Sequence, residues 1–262
     1  MSEQPGDKLS SSLPFRWAAA SDIGKVRDEN QDAFLVEPEP GLFLVSDGMG
    51  GHRGGALASQ IVAEDLPPLI ETRLDRLKRR SIRAVRSLLK KTLAEQSKQL
   101  RMEGTSESGY KEMGTTVVLA LLLGGRAYIA NVGDSRIYRL RRGRLRQLSQ
   151  DHSVVAELLD QGRIQPDDVN DHEAQGEITR YVGMEERAHP YVRSFLLKAG
   201  DRLLLCTDGL TDLVSDKDIA RIMGGESDCQ AACDSLVAAA NAAGGTDNIT
   251  VLVLDWLGTN HG

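Results

Sequence analysis

Leu42-Phe43-Leu44-Val45-Ser46-Asp47-Gly48 and Leu203-Leu204-Leu205-Cys206-Thr207-Asp208-Gly209 share one grammar: an apolar run, a hydroxyl residue, then Asp-Gly. Apolar runs this short, closed by a turn signal, read as buried strands. One Asp-Gly after a strand is ordinary turn chemistry. Two of them, each capping a wholly apolar strand, ask for a further reason.

Working outward, apolar runs with flanking turn signals predict further strands over 17–20, 33–36, 115–122, 127–132, 137–140, 192–197 and 249–254. Residues 141–144, with Gly143 inside, read as a hairpin turn leading into a strand over 145–148. Helical spacing of apolar residues predicts helices over 56–66 and 82–100; in the second, Ile82, Val85, Leu89, Leu93 and Leu100 line one side. Shorter helices are expected over 153–161, 216–223 and 229–243, the last stopped by Gly244 and Gly245. Strands come in groups and helices in pairs, which argues for an α+β fold of antiparallel sheets covered by helices, not an alternating parallel one. Residues 1–13 read as a disordered leader and 14–258 as one domain, with a polar surface flap over 165–175.

Composition excludes several kinds of work. Aromatics are only 4% and the net charge is −6, so neither base stacking nor a global pull toward nucleic acid or anionic membrane is expected. The longest apolar run, 117–123, is too short to span a bilayer, and the polar N-terminus shows no secretion signal. Cys206, Cys229 and Cys233 lack metal-site spacing and read as small buried hydrophobes in a reducing compartment. A cytoplasmic monomer is the expectation.

Asp32, Asp47, Asp134, Asp208 and Asp247 all stand at strand ends or beside glycine. Packing two sheets face to face lets the five converge at one rim. Unpaired carboxylates at ~5 Å repel by roughly 3 kcal/mol per pair at an effective dielectric of ~20, and the Gly-rich segments around them supply few basic side chains. Divalent cations are the better counter-charge. An all-oxygen ligand set selects Mg²⁺ or Mn²⁺ over Zn²⁺ or Cu²⁺. Two such ions lower the pKa of a bridging water for in-line attack on phosphorus. Gly48, lacking Cβ, leaves its carbonyl free to turn toward a metal. Arg27 precedes Asp32 by five residues and is the candidate substrate clamp, since a guanidinium grips two phosphoryl oxygens at once.

Seven segments then occur in one order: 21–32 (SDIGKVRDENQD), 45–52 (VSDGMGGH), 114–116 (GTT), 131–136 (NVGDSR), 151–153 (DHS), 207–209 (TDG) and 245–250 (GTDNIT). In this series the chain resembles the type 2C family of metal-dependent serine/threonine protein phosphatases, in its compact bacterial form. The resemblance implies a four-layer α/β/β/α sandwich, two antiparallel sheets flanked by helix pairs. It implies that Asp47 bridges two metals, that the Gly48 carbonyl binds one and that Asp208 and Asp247 bind the other. Asp32 would orient the attacking water, Arg27 would hold the phosphate, and a third, weaker metal would sit between Asp134 and Asp208. Phosphorylated proteins, and with them a serine/threonine kinase and its targets, are the partners it implies.

Three positions depart from the family's pattern: Gln31 where many members carry Glu, Met49 where better-studied eukaryotic members carry a His proposed as general acid, and Ala56 where a Glu is common. None removes a primary metal ligand. His52 stands three residues from Met49 but reads more simply as packing for the Gly-rich turn, and His152 as a structural hydrogen-bond partner. The basic stretch from Arg73 to Lys91 and the basic hairpin of Arg139, Arg141, Arg142, Arg144 and Arg146 read as solvated faces; a docking surface for an acidic partner is the sharper alternative. The competing function is a silent phosphoprotein-binding module of the same fold, and the complete aspartate set argues against it.

Overall fold

The computed structural model describes residues 13–106, 113–165, 168–169 and 172–258, and the backbone alone at 51–53 and 106. The expected leader therefore lies outside the described residues except for Leu13, which already packs against the core between the sheets. The side chain of His52 and part of the 165–175 flap fall outside the description as well.

Among the described residues two antiparallel sheets form. One has the order β1 (Phe15–Asp22), β11 (Ile249–Trp256), β10 (Asp201–Cys206), β7 (Arg136–Arg141) and β8 (Arg144–Gln147). The other has the order β2 (Asp32–Glu37), β3 (Leu42–Met49), β5 (Val117–Leu123), β6 (Arg126–Val132) and β9 (Tyr191–Leu196), with the two-residue β4 (Gly114–Thr115) pairing with the end of β3.

The unbroken apolar runs follow from what covers each face. An antiparallel strand with one wet face alternates apolar and polar residues. Here Phe43 and Val45 point between the sheets and meet Leu203, Leu205, Leu252 and Leu254. Their neighbours Leu42 and Leu44 point outward onto α1 (Gly51–Asp75) and α2 (Ile82–Ser106). On the other sheet Leu204 and Cys206 face α5 (Asp216–Gly225) and α6 (Cys229–Ala242). Every one of these strand side chains is 0–1% exposed, so both faces are dry and no polar position is tolerated. At roughly 1.5–3 kcal/mol per fully buried aliphatic or Phe side chain, that burial outweighs any preference for a wet face. The result is the expected four-layer α/β/β/α sandwich.

Some elements differ from the sequence reading: the strand expected over 115–122 is divided into β4 and β5, and the helix expected over 82–100 runs on to Ser106. The helix expected to stop at residue 66 runs on to Asp75 through Pro67 and Pro68. Each interior proline costs about 3 kcal/mol, but Leu66, Ile70 and Leu74 on the buried face are 0–2% exposed and offset that cost. Asp208–Thr211 forms a one-turn helix, α4, where only a turn was expected. The other helices start as capping chemistry predicts: Ser215 accepts from the Asp218 N–H for α5, and Asp228 from Gln230 and Ala231 for α6. A short helix, α3 (Val154–Asp160), is capped by Ser153.

Candidate active site

The two Asp-Gly strands end at the same rim of the sandwich, one in each sheet. Antiparallel pairing of β2 with β3 sets Asp32 directly opposite Asp47. From the facing sheet, Asp208 opens α4 and Asp247 precedes β11. The hydroxyl residues before each Asp-Gly act as pins. Ser46 Oγ shares a hydrogen bond with Thr115 Oγ1 (2.7 Å), and Thr115 Oγ1 donates to the Asp47 carbonyl (2.7 Å). The Asp47 N–H donates to Thr116 Oγ1 (3.1 Å). In the other sheet Thr207 Oγ1 accepts from the Thr250 N–H (3.0 Å) and donates across the rim to Asp32 Oδ2 (3.0 Å). This accounts for the Gly-Thr-Thr segment and for the shared hydroxyl of the two strands.

Gly48 meets a steric demand besides the carbonyl role suggested by the sequence. A Cβ there would lie 2.1 Å from the Gly55 carbonyl oxygen and 2.7 Å from that of Gln31. The start of α1 and the β2 entry crowd this strand end, and only a bare Cα fits. Gly24, at φ +80°, has the same function for the loop bearing Arg27: a side chain would strike the Asp247 carbonyl at 2.3 Å. The loop over residues 22–32 is stapled by Asn248. Its Oδ1 accepts from the Gln31 N–H (2.8 Å), and its Nδ2 donates to the carbonyls of Ile23 and Glu29 (3.0 Å each). The Lys25 N–H adds a bond to the Gly245 carbonyl at 2.7 Å.

Burial first, and then the charge of Asp208, push the Asp32 carboxyl up to about 7, against hydrogen bonds from Thr250 and Thr207. Burial and then Asp208, Asp32 and Asp134 hold Asp47 well above the carboxylate range; burial and then Asp208 do the same to Asp134. Asp208 is raised by burial and by Asp247. The five aspartates thus form one connected field of mutual repulsion. Oδ1 of Asp32, Asp134 and Asp208 is in each case buried with no hydrogen-bond partner. Buried, unpartnered acceptors are expensive, and hard cations are the species that satisfy several at once. The donor set therefore fits Mg²⁺ or Mn²⁺.

One basic side chain does enter the ring. Arg27 donates to Asp247 Oδ2 at 2.6 Å, and Oδ1 accepts from the Asn248 N–H at 2.8 Å, so both oxygens of Asp247 are engaged. Accordingly, among the described residues no three Asp, Glu, His or Cys side chains close into a ready-made cage for a single ion. Arg27 lines a cleft of about 710 Å³ with Asp47, Gly48, Met49, Asp208 and Asp247. Tyr181 and Ile178, from the segment after the flap, form its far wall.

A smaller cavity of about 70 Å³ lies behind Asp208, lined by Asp134, Asp151 and Asp212. Asp212 was not singled out in the sequence; it lies four residues after Asp208, and burial and then Asp208 raise it to about 6. That i, i+4 spacing is the signal that would have found it. His152 Nδ1 accepts from the Gly133 N–H (3.2 Å), and burial, then Arg180, lower it to about 4, so it is a neutral brace for the Gly133–Asp134 turn. The three cysteines are free and buried, their thiols pushed up to about 12 by burial. No described helix is long and apolar enough to cross a membrane.

The family model for Protein phosphatase 2C matches residues 25–241. Serine/threonine phosphatase stp of Listeria monocytogenes is 35% identical over 238 residues, covering 90% of this chain and 93% of that protein. Among solved structures, PppA of Pseudomonas aeruginosa is 37% identical with a TM-score of 0.75, over 92% of this chain and 97% of that one. The catalytic domain of the serine/threonine protein phosphatase PstP, solved in complex with two manganese ions, is 34% identical with a TM-score of 0.74, over 92% and 97% of the respective chains. The family match passes through Arg27 and four of the five rim aspartates, and the Listeria relative aligns over nine-tenths of the sequence, so the chain belongs to the protein phosphatase 2C family and is a metal-dependent phosphoprotein phosphatase.

Proposed function

We propose that the chain hydrolyses phosphoserine and phosphothreonine on other proteins at a dinuclear Mg²⁺ or Mn²⁺ centre, opposing a serine/threonine kinase. The observation that carries this reading is the set of buried, unpartnered carboxylate oxygens on Asp32, Asp134 and Asp208 around Asp47. Asp47, the Gly48 carbonyl, Asp208 and Asp247 would hold the two ions, which supply Lewis-acid charge and a water of lowered pKa. Asp32, held by Thr207, orients that water and accepts its proton. Arg27 exchanges Asp247 for two phosphoryl oxygens and so fixes the ester in line for attack. The cavity beside Asp134, Asp208 and Asp212 is the candidate seat of a third ion. Met49 offers no proton, so the leaving alkoxide is protonated by solvent. The three buried free thiols support a reducing, cytoplasmic setting, and the enzyme acts as a monomer.

The test is Mn²⁺-dependent release of phosphate from p-nitrophenyl phosphate and from a phosphothreonine peptide. Asp47→Asn and Asp208→Asn should each abolish turnover and weaken Mn²⁺ binding measured by calorimetry. Undiminished turnover in either variant would remove the assigned roles, and a metal-loaded wild type inactive on both substrates would favour the silent binding module.

A further inference from the structure

A sandwich fills the gap between its sheets with apolar side chains, because a polar group there loses water without gaining a partner. At the edge formed by β7, β8 and β9 this chain does otherwise. Ile137 points between the sheets, so by alternation Arg139 and Arg141 on the same strand do too. The register of β8 sets Arg146 opposite Arg139. From the facing sheet Arg193 shares its side of β9 with Phe195, whose ring lies under the Arg139 guanidinium at 5.3 Å.

Negative charge is scarce at this edge. Asp201 pairs with Arg141. Among the described residues no carboxylate pairs with Arg139, Arg146 or Arg193. The Nε of Arg139 is buried with no hydrogen-bond partner. Burial first, then the charges of Arg141, Arg146 and Arg193, lower the Arg139 pKa despite the pull of Asp201. Inward charge on an edge strand guards against edge-to-edge pairing, but a single charge suffices for that, and several of one sign repel each other.

We infer that this edge is a docking site for an acidic stretch of the phosphoprotein substrate, read at a distance from the phosphorylated residue. The inference rests on the phosphoprotein reading proposed above. Arg136, which lines the Asp134 cavity and pairs with Asp151, marks the rim. Arg139 lies three residues further along β7, ~10 Å away, a gap that about three residues of extended peptide cross. The acidic residues therefore lie three or more positions from the phosphoresidue. A net charge of −6 and few aromatics disfavour nucleic acid as the occupant.

The experiment compares three substrates with the Mn²⁺-loaded enzyme: a phosphothreonine peptide with Asp and Glu three to six positions away, the same peptide with Asn and Gln there, and p-nitrophenyl phosphate. The acidic peptide is expected to show a KM about tenfold below the neutral one at low salt, a gap that closes at about 0.5 M salt. R146E and R193E should erase the preference, and R139M, which keeps the packing on Phe195, should reduce it about two- to fivefold. Turnover of p-nitrophenyl phosphate, too small to reach the edge, checks that each variant is folded and metal-loaded. Fluorescence anisotropy with the unphosphorylated acidic peptide should follow the same order of affinities and needs no turnover, so an inactive enzyme would sink the catalytic reading without obscuring this one. Equal KM values for acidic and neutral peptides, a preference that survives R146E and R193E, or tighter binding of a single-stranded oligonucleotide through the same arginines would each overturn the docking site.

Discussion

Asn248→Ala removes the staple that holds the loop over residues 22–32 against the rim. The lost carboxamide makes three hydrogen bonds at 2.8–3.0 Å and is 6% exposed, so water does not readily replace it. At about 1 kcal/mol net per bond, the expected loss is about 3 kcal/mol. An unfolding entropy on the order of 0.55 kcal/mol/K for a chain of this length converts this to a drop of about 5 °C in Tm. Asn248→Asp should do more harm to the metal-free protein: it keeps the acceptor for Gln31 but turns both donors into acceptors facing carbonyls, beside Asp247. Thermal unfolding with and without Mn²⁺ measures the loss, and hydrogen exchange locates it, with faster exchange expected at Lys25 and Gln31, whose N–H groups bond the 245–248 turn. Because Arg27 and Asp32 ride on this segment, KM should rise and kcat fall together. An Asn248→Ala protein with Tm within about 1 °C of wild type and unchanged exchange over 22–32 would refute the staple.

Other consequences can be measured on the same protein. With Asp32 near 7 and Asp212 near 6, the metal-free folded chain holds protons between pH 4 and 7 that unfolded carboxylates, at their usual 3.8, have released. Stability of the metal-free chain should therefore rise as pH falls from about 8 to about 5, by about 1.4 kcal/mol per pH unit for each extra proton. Mn²⁺ affinity should move the other way, climbing as pH passes about 7; a metal-free Tm that drops as pH is lowered from about 8 to about 5 would contradict the account. Arg27→Ala should raise KM for phosphate esters about 10- to 100-fold with a smaller change in kcat, and an unchanged KM would remove it as the clamp. Asp134→Ala should spare binding of two Mn²⁺ ions by calorimetry yet lower turnover on phosphopeptides several-fold; wild-type turnover would leave the small cavity without a catalytic part.

Much of the architecture was legible because its strands announce themselves. Runs such as 42–45 and 203–206 cannot be surface, and the two Asp-Gly turns mark where the sheets end together. The helix through Pro67 and Pro68 was not legible, since local propensity forbids it and only the depth at which Ile70 and Leu74 are buried overrides that penalty. At the site, residue types pointed to the aspartates, but pairing did not follow from type. That Arg27 would rest on Asp247, and that Asn248 would hold three backbone groups of a loop more than two hundred residues away, depends on tertiary approach permitted by Gly24 and Gly245. Gly48 was singled out for a carbonyl left free by its missing Cβ; crowding by Gly55 and Gln31, which no sequence pattern announces, is a second demand for a bare Cα there.

Asp32 and Asp47 arrive on one sheet, Asp208 and Asp247 on the other, and the Thr207–Asp32 hydrogen bond crosses the line where they meet. Oxygen ligands must be set to within a few tenths of an ångström, whereas a slip of one sheet past the other by a single residue is ~3.3 Å. The interlocking apolar side chains of Phe43, Val45, Leu205 and Leu252, themselves inert, thus serve as the alignment jig of the enzyme. Wear in that jig would be felt first as lost chemistry, while the scaffold still stood.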